Sequence, residues 1–159
     1  MMIIIRLAKV ATIAALAAYA LTVAYDNIVD YGSNYEFVKH VLTMDTTFEA
    51  STLKDRAISN ETMWRIAYGL IIGVEVLTGL LLMVGAIALL KRLTAPGKIF
   101  NQSKMWAVVG LTLGFSLWFG GFMVIAGEYF AMWQSKLWNG QEAAFRGFAP
   151  IELIQSFSE

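Results

Sequence analysis

The sequence predicts an all-α membrane protein: a small bundle of three transmembrane helices plus a short, marginal fourth, with an amphipathic helix on the outer side. Two apolar stretches lead to this prediction, because residues 66–90 contain one ionisable side chain, Glu75, and residues 105–127 contain none. At about 1.5 Å of rise per residue, roughly 20 helical residues cross a hydrocarbon core of about 30 Å, and both stretches are longer. The composition agrees, since 15% of the residues are charged, whereas soluble domains carry roughly 25%.

The composition also limits the function. The 159 residues suit one membrane domain, over 1–159, without a separate soluble unit. A net formal charge of zero argues against nucleic acid as a partner. The chain has no cysteine, and it shows no nucleophile–base pair, phosphate loop or dinucleotide fingerprint. We therefore expect a protein that is not an enzyme and that holds no metal and no cofactor.

The first predicted span covers about residues 3–25. Arg6 and Lys9 precede an Ala-rich run in which Ala18-Tyr19-Ala20 has the small-x-small pattern of a signal-peptidase site. A cleaved signal peptide is one interpretation. We favour an uncleaved span whose Arg6 and Lys9 reach the membrane interface, because three isoleucines extend the apolar stretch upstream to about 23 residues.

The second and third spans, about 63–90 and 105–128, predict the orientation through the charges around them. The loop 91–104 holds four basic residues and no acid, and the two N-terminal basic residues lie at the far end of the first span. The loop 26–62 instead holds seven acids and three bases. Since Lys and Arg near span ends mark the cytoplasmic side, we expect the N-terminus and loop 91–104 in the cytoplasm and loop 26–62 outside.

The outer loop contains a predicted amphipathic helix. Ser33 and Glu36 have the spacing of a capping box, with which helices often begin. Asn60 is placed to cap the N-terminus of the second span. The apolar side chains of the outer helix would be Phe37, Val38, Val41 and Leu42.

The C-terminal segment 141–157 allows two interpretations. Its large apolar residues recur every third position, but Arg146, Pro150 and Glu152 interrupt the segment, and it is short for a span. From the residues alone it is either an interfacial helix or a short fourth span.

The sequence contains the segments DNIVDYGSNYEFVKHVLTMDTTF (26–48) and GEYFAMWQSKLWNGQEAAFR (127–146). These two segments resemble the signatures of a bacterial family of predicted small integral membrane proteins, a domain-of-unknown-function family. The resemblance covers nearly the whole chain. It implies a four-span inner-membrane protein with a structured outer loop, and it implies no activity. It therefore favours the short fourth helix, which we expect to be kinked or divided at Pro150, with Arg146 facing the bundle interior and Glu159 near the cytoplasmic surface.

Glu75 is the strongest candidate for a functional residue. It lies about ten residues into the second span, where an ionised carboxylate costs at least about 2.5–3.5 kcal/mol. It could serve in a proton or cation relay, or anchor a partner subunit. The simpler interpretation is a protonated acid that is hydrogen-bonded to a neighbouring helix, for example to Thr112 or Ser116. Arg146 is its candidate counter-ion, and Glu128, at the end of the third span, is the competing partner for Arg146.

The outer face offers weaker candidates. His40 is the only histidine, and haem or zinc sites normally recruit two or more protein ligands, so we expect a polar residue of the outer helix. Asp26, Asp30 and Asp45 could gather a cation there, but acidic loop residues are usually solvated.

Small residues at a spacing of three or four mark candidate packing faces. In lipid, helices associate by close packing, so small residues on one face indicate an interface. The alternative is the general abundance of glycine in membrane spans. The candidate pairs and stripe are Gly69 and Gly73, Gly110 and Gly114, and Ala11, Ala15 and Ala18.

Three functions are compatible with these features. The favoured one is a non-enzymatic accessory, assembly or scaffold subunit of an inner-membrane complex. Its partners would be the lipid bilayer and other membrane protein subunits or further copies of the chain. The rival is a small proton- or cation-coupled transporter that uses Glu75. The third is a lipid- or quinone-binding protein that uses the outer aromatic residues.

Overall fold

A computed structural model of the chain describes the backbone of residues 2–156 and the side chains of residues 2–150. This part of the chain is mostly helical and contains no strand, so the all-α prediction is confirmed. Short 3₁₀ turns occupy Lys54–Arg56 and Met132–Gln134. The helices are α1 (Met2–Val29), α2 (Tyr31–Thr43), α3 (Glu61–Lys91), α4 (Gly97–Gln102), α5 (Met105–Phe115, continued by a π-helix over Ser116–Tyr129) and α6 (Gln141–Ser156).

Three helical segments of the described chain are long and apolar enough to cross a membrane: Met2–Val29, Glu61–Lys91 and Gly97–Tyr129. They correspond in order to the three predicted spans. The protein is therefore a multi-pass integral membrane protein. Each helix continues a few residues past its apolar stretch, because helices end where capping and packing end them and not where hydrophobicity stops.

Helix α3 lies at the centre of the bundle and packs on both α1 and α5. A Cβ atom on Gly79 would lie 2.5 Å from Leu21 Cγ of α1, and one on Gly85 would lie 2.6 Å from the backbone nitrogen of Ala107 on α5. These two glycines let three backbones approach closely, which is how helices associate in lipid. The facing side of α1 is correspondingly small, with Ala17 and Ala20 fully buried.

Arg6 joins the N-terminal part of α1 to the loop that follows α3. Its Nη1 donates to the carbonyl oxygens of Leu93, at 2.8 Å, and Ala95, at 2.7 Å. Its guanidinium also lies 4.6 Å from the ring centroid of Phe100. Arg6 is buried against the loop that follows α3, so the chain itself holds its guanidinium. It donates to carbonyl oxygens just beyond the end of α3, and this brings two basic segments of the chain to one end of the bundle.

Helix α2 lies at the opposite end of the bundle, which we call the α2 end. Val38 and Val41 are buried, as the predicted amphipathic pattern requires. The predicted capping box is wrong: α2 begins at Tyr31, and the Ser33 hydroxyl donates to Asp30 Oδ1 at 3.0 Å. The physical reason is that α1 continues to Val29, so the next helix starts two residues before Ser33.

The remainder of the 26–62 loop is held against the helix ends. Ile58 donates its backbone N–H to Leu42, and the Arg56 guanidinium donates to the Tyr129 carbonyl at 3.0 Å. The predicted cap on α3 is confirmed, because Asn60 Oδ1 accepts the Met63 N–H at 3.2 Å.

Helix α6 runs back along the third membrane helix, antiparallel to it. Gln141 lies beside Gly127, and the ring of Phe148 lies 5.3 Å from that of Phe119, which is further from the α2 end. The helix is shorter than the three spanning segments and continues through Pro150 without a break, so the predicted division at that residue is absent. Residues 157–159, including Glu159, lie outside the described residues.

Candidate functional site

A hydrogen-bonded group of three polar residues, Asn27, Tyr68 and Glu75, is buried between α1 and α3. Glu75 is 1% exposed and accepts a hydrogen bond at Oε2 from Asn27 Nδ2, at 2.7 Å. The Tyr68 hydroxyl, also buried, donates to the backbone carbonyl of Asn27 at 2.8 Å. The structure thus gives Glu75 a hydrogen-bond partner on a neighbouring helix, but that helix is α1. The suggested partners differ: Ser116 Oγ donates to the carbonyl of Thr112 in its own helix.

The predicted pair of Glu75 with Arg146 does not form. Arg146 Nη2 donates to Glu142 Oε1 at 2.9 Å, and both side chains are exposed. The reason is the rotation of α6: its buried side consists of Ala144, Gly147 and Phe148, which packs on the third membrane helix. This rotation directs Arg146 outward, so the expectation that it faces the bundle interior is also wrong.

A cavity of about 320 Å³ opens beside the buried group. Its lining comes from α1, α2, α3, the π-helical part of the third membrane helix and the start of α6. Three of its polar lining residues, Asn27, Tyr68 and Glu75, are joined by hydrogen bonds, and Asn34 also lines the cavity. Most of the remaining wall is apolar, and the aromatic lining residues are Tyr19, Phe37, Tyr68, Trp118 and Phe122.

The cavity is confined to the α2 end of the bundle. On α1 and α3 its deepest lining residues are Tyr19 and Glu75. Beyond them the helices are in contact: a Cβ on Gly110 would lie 2.9 Å from Leu82 Cγ, and one on Gly85 would lie 2.6 Å from the backbone nitrogen of Ala107. The cavity therefore lies on the α2 side of these helix contacts, with Glu75 at its deep end on α3.

The outer-face candidates are only partly brought together. His40 Nδ1 lies 2.7 Å from Asp45 Oδ2, and the His40 ring stacks on Trp138 with centroids 4.6 Å apart. Asp30 accepts the Ser33 hydroxyl, and Asp26 and Glu128 are exposed. Within the described residues, no group of three or more His, Asp or Glu side chains could hold a metal ion. His40 therefore ties α2 to the segment before α6.

The predicted packing pairs divide into two kinds. Gly110 and Gly114 are buried in the bundle. Gly69 and Gly73 are exposed, and a Cβ on either would meet nothing within 4 Å. The predicted alanine stripe is likewise exposed, at Ala11, Ala15 and Ala18.

Sequence reasoning missed three residues that organise the site: Asn27, Gly79 and Gly85. The buried face of α1 is formed by residues 17, 20, 24 and 27, a helical spacing that continues from the alanines to Asn27. That periodicity was a usable signal, because it extends the first helix into the outer loop. Gly79 and Gly85 are six residues apart, so no small-xxx-small pattern marks them.

Comparison with known proteins identifies a family. The model of a family described as predicted small integral membrane protein (DUF2165) matches residues 5–155. No curated protein and no solved structure matches the chain.

Proposed function

The chain belongs to the DUF2165 family of predicted small integral membrane proteins, and from this premise we propose that it is a non-enzymatic accessory, assembly or scaffold subunit of a membrane complex. The complex would lie in a bacterial inner membrane. Its other members would be membrane-spanning proteins that contact this chain through its outward packing faces.

The observation that supports this proposal is the glycine face of α3 that the bundle leaves open. Gly79 and Gly85 are occupied by α1 and α5, whereas Gly69 and Gly73 on the same helix have open space above them. Two glycines four residues apart form a shallow groove on one helix face, into which another helix backbone fits more closely than lipid chains do. The fitting occupant is a membrane-spanning helix of a partner subunit.

Leucine at Gly69 and Gly73 together is expected to release the partner. The added side chains fill the groove, while nothing in the chain itself lies within 4 Å of either Cβ position. Leucine also favours a helix more than glycine does, so the change does not weaken α3. Native mass spectrometry after purification in a gentle detergent measures the complex, and Gly120→Leu is the matched control, since that glycine also faces open space.

Two results would contradict this role. A wild-type protein that purifies as a monodisperse monomer without a partner would remove the basis for it. An assembly that survives in the double leucine variant as well as in Gly120→Leu would show that the Gly69 face is not the interface. A homo-oligomer lost in the double variant would replace the partner subunit with a second copy of the chain.

The charge pattern supports an N-terminus in the cytoplasm, with the α2 end outside. Because the chain has no cysteine, Ser51→Cys and Ala95→Cys each introduce a unique label site. A membrane-impermeant maleimide added to intact cells is expected to label Ser51→Cys, and to label Ala95→Cys only after the membrane is opened. Labelling of both from outside would contradict this orientation.

A further inference from the structure

The cavity beside Glu75 combines aromatic walls with one acidic side chain, and both features attract cations. Five of its lining residues are aromatic, and the rings of Tyr19 and Trp118 lie with centroids 5.6 Å apart at its wall. Its one acidic lining residue is Glu75, and no Lys, Arg or His is among the described residues that line it. Aromatic faces and a carboxylate both attract cations, and aromatic walls are a recurring way to hold ammonium groups.

The described part of the chain gives the Glu75 carboxyl one hydrogen-bond donor and no counter-ion. Within the described residues, its hydrogen-bond donor is the Asn27 amide, which reaches Oε2 only. The predicted counter-ion, Arg146, is held at the surface by Glu142. A buried carboxyl with one neutral donor has capacity for a further donor or a cation, because charged groups away from water need partners.

We propose that this cavity is a binding site for a small lipophilic amine, whose ammonium group lies against Glu75 and whose apolar body packs among Tyr19, Trp118 and Phe122. A phospholipid fits the site less well, since no cationic side chain is among the described residues that line the cavity. A volume of about 320 Å³ lies at the lower end of the range for small-molecule pockets, about 300–1,000 Å³.

The ligand would enter from the membrane. Tyr19, 37% exposed, and Ala143, also exposed, both line the cavity. The cavity is therefore bordered by exposed residues of α1 and α6, and Tyr19 belongs to the first membrane-spanning helix. This site is independent of the Gly69 and Gly73 face, so either proposal can fail without the other.

Three probes of matched shape test the charge preference: 4-phenylbutylammonium, neutral 4-phenylbutanol and anionic 4-phenylbutyrate. Isothermal titration calorimetry of the full chain in a non-ionic detergent is expected to show saturable binding of the ammonium compound. Its affinity should exceed that of the other two by about tenfold or more, because a desolvated carboxylate and aromatic faces both favour the cation. Equal affinities, or a preference for the alcohol or the acid, would overturn the proposal.

Variants locate the binding. Glu75→Gln keeps the size of the side chain and removes its charge, so the ammonium affinity should fall about tenfold while that of the alcohol stays the same. Glu128→Gln removes an exposed charge outside the cavity and should change neither affinity. Ala144→Phe fills the cavity from a buried lining position and should abolish binding. This variant keeps the proposal testable if Glu75→Gln does not fold. Unchanged ammonium binding in Ala144→Phe would show that the cavity is not the site.

Discussion

Leucine in place of Gly85 is expected to prevent the bundle from forming. A Cβ at this position would lie 2.6 Å from the backbone nitrogen of Ala107 and 2.8 Å from its Cα. The obstacle is backbone, which cannot move aside as the end of a flexible side chain can, so α3 and α5 must separate. Overpacking of a close-packed site costs typically 1–3 kcal/mol, and a clash with backbone belongs at or above about 3 kcal/mol.

Thermal unfolding in a mild detergent, followed by circular dichroism and size-exclusion chromatography, measures this effect. Gly120→Leu is the control, because it adds the same side chain to a membrane helix at a position with open space. We expect Gly85→Leu to aggregate or to melt at a temperature far below that of the wild type. Gly120→Leu should melt at the same temperature as the wild type. Equal melting of the two variants would mean that α3 and α5 do not pack as closely as described.

Replacement of Asn27 by leucine is expected to destabilise the chain by about 1–3 kcal/mol, because it leaves the buried Glu75 carboxyl without its donor. Ordinary interhelical hydrogen bonds in membranes are worth about 0.6 kcal/mol on average. The expected loss is larger here because the stranded group is acidic and 1% exposed. The backbone carbonyl of Asn27 still accepts the Tyr68 hydroxyl at 2.8 Å, so apart from the bond to Glu75 the variant removes only the longer contact, 3.4 Å, between that hydroxyl and Asn27 Oδ1.

A double-mutant cycle separates this penalty from a simple loss of packing. Asn27→Leu combined with Glu75→Leu removes both partners, so the double variant should be more stable than Asn27→Leu alone. Melting temperatures of the four proteins give the interaction term. Additive losses from the two substitutions would show that Asn27 and Glu75 act separately and would contradict the described hydrogen bond.

The sequence by itself determined the class of the protein and the order of its helices. Apolar stretches with at most one ionisable residue that are long enough to cross a bilayer indicate membrane spans, so the spans around residues 66–90 and 105–127 follow from length and composition. The cap at Asn60 followed in the same way, because a helix N-terminus needs a local acceptor. Such local requirements are satisfied by residues that are close in the sequence, and therefore they can be predicted from the sequence.

Only the tertiary structure decided which side chains meet. Glu75 was recognisable as a costly buried acid, but its partner depended on how α1 and α6 rotate about their axes. The rotation of α1 directs Asn27 to Glu75, and that of α6 directs Arg146 to the surface. In lipid these rotations are set by close packing of small residues, and glycine pairs occur on several faces of the same helix. Which face packs, and where a cavity is left between the helices, depends on all the helices together and not on any one segment.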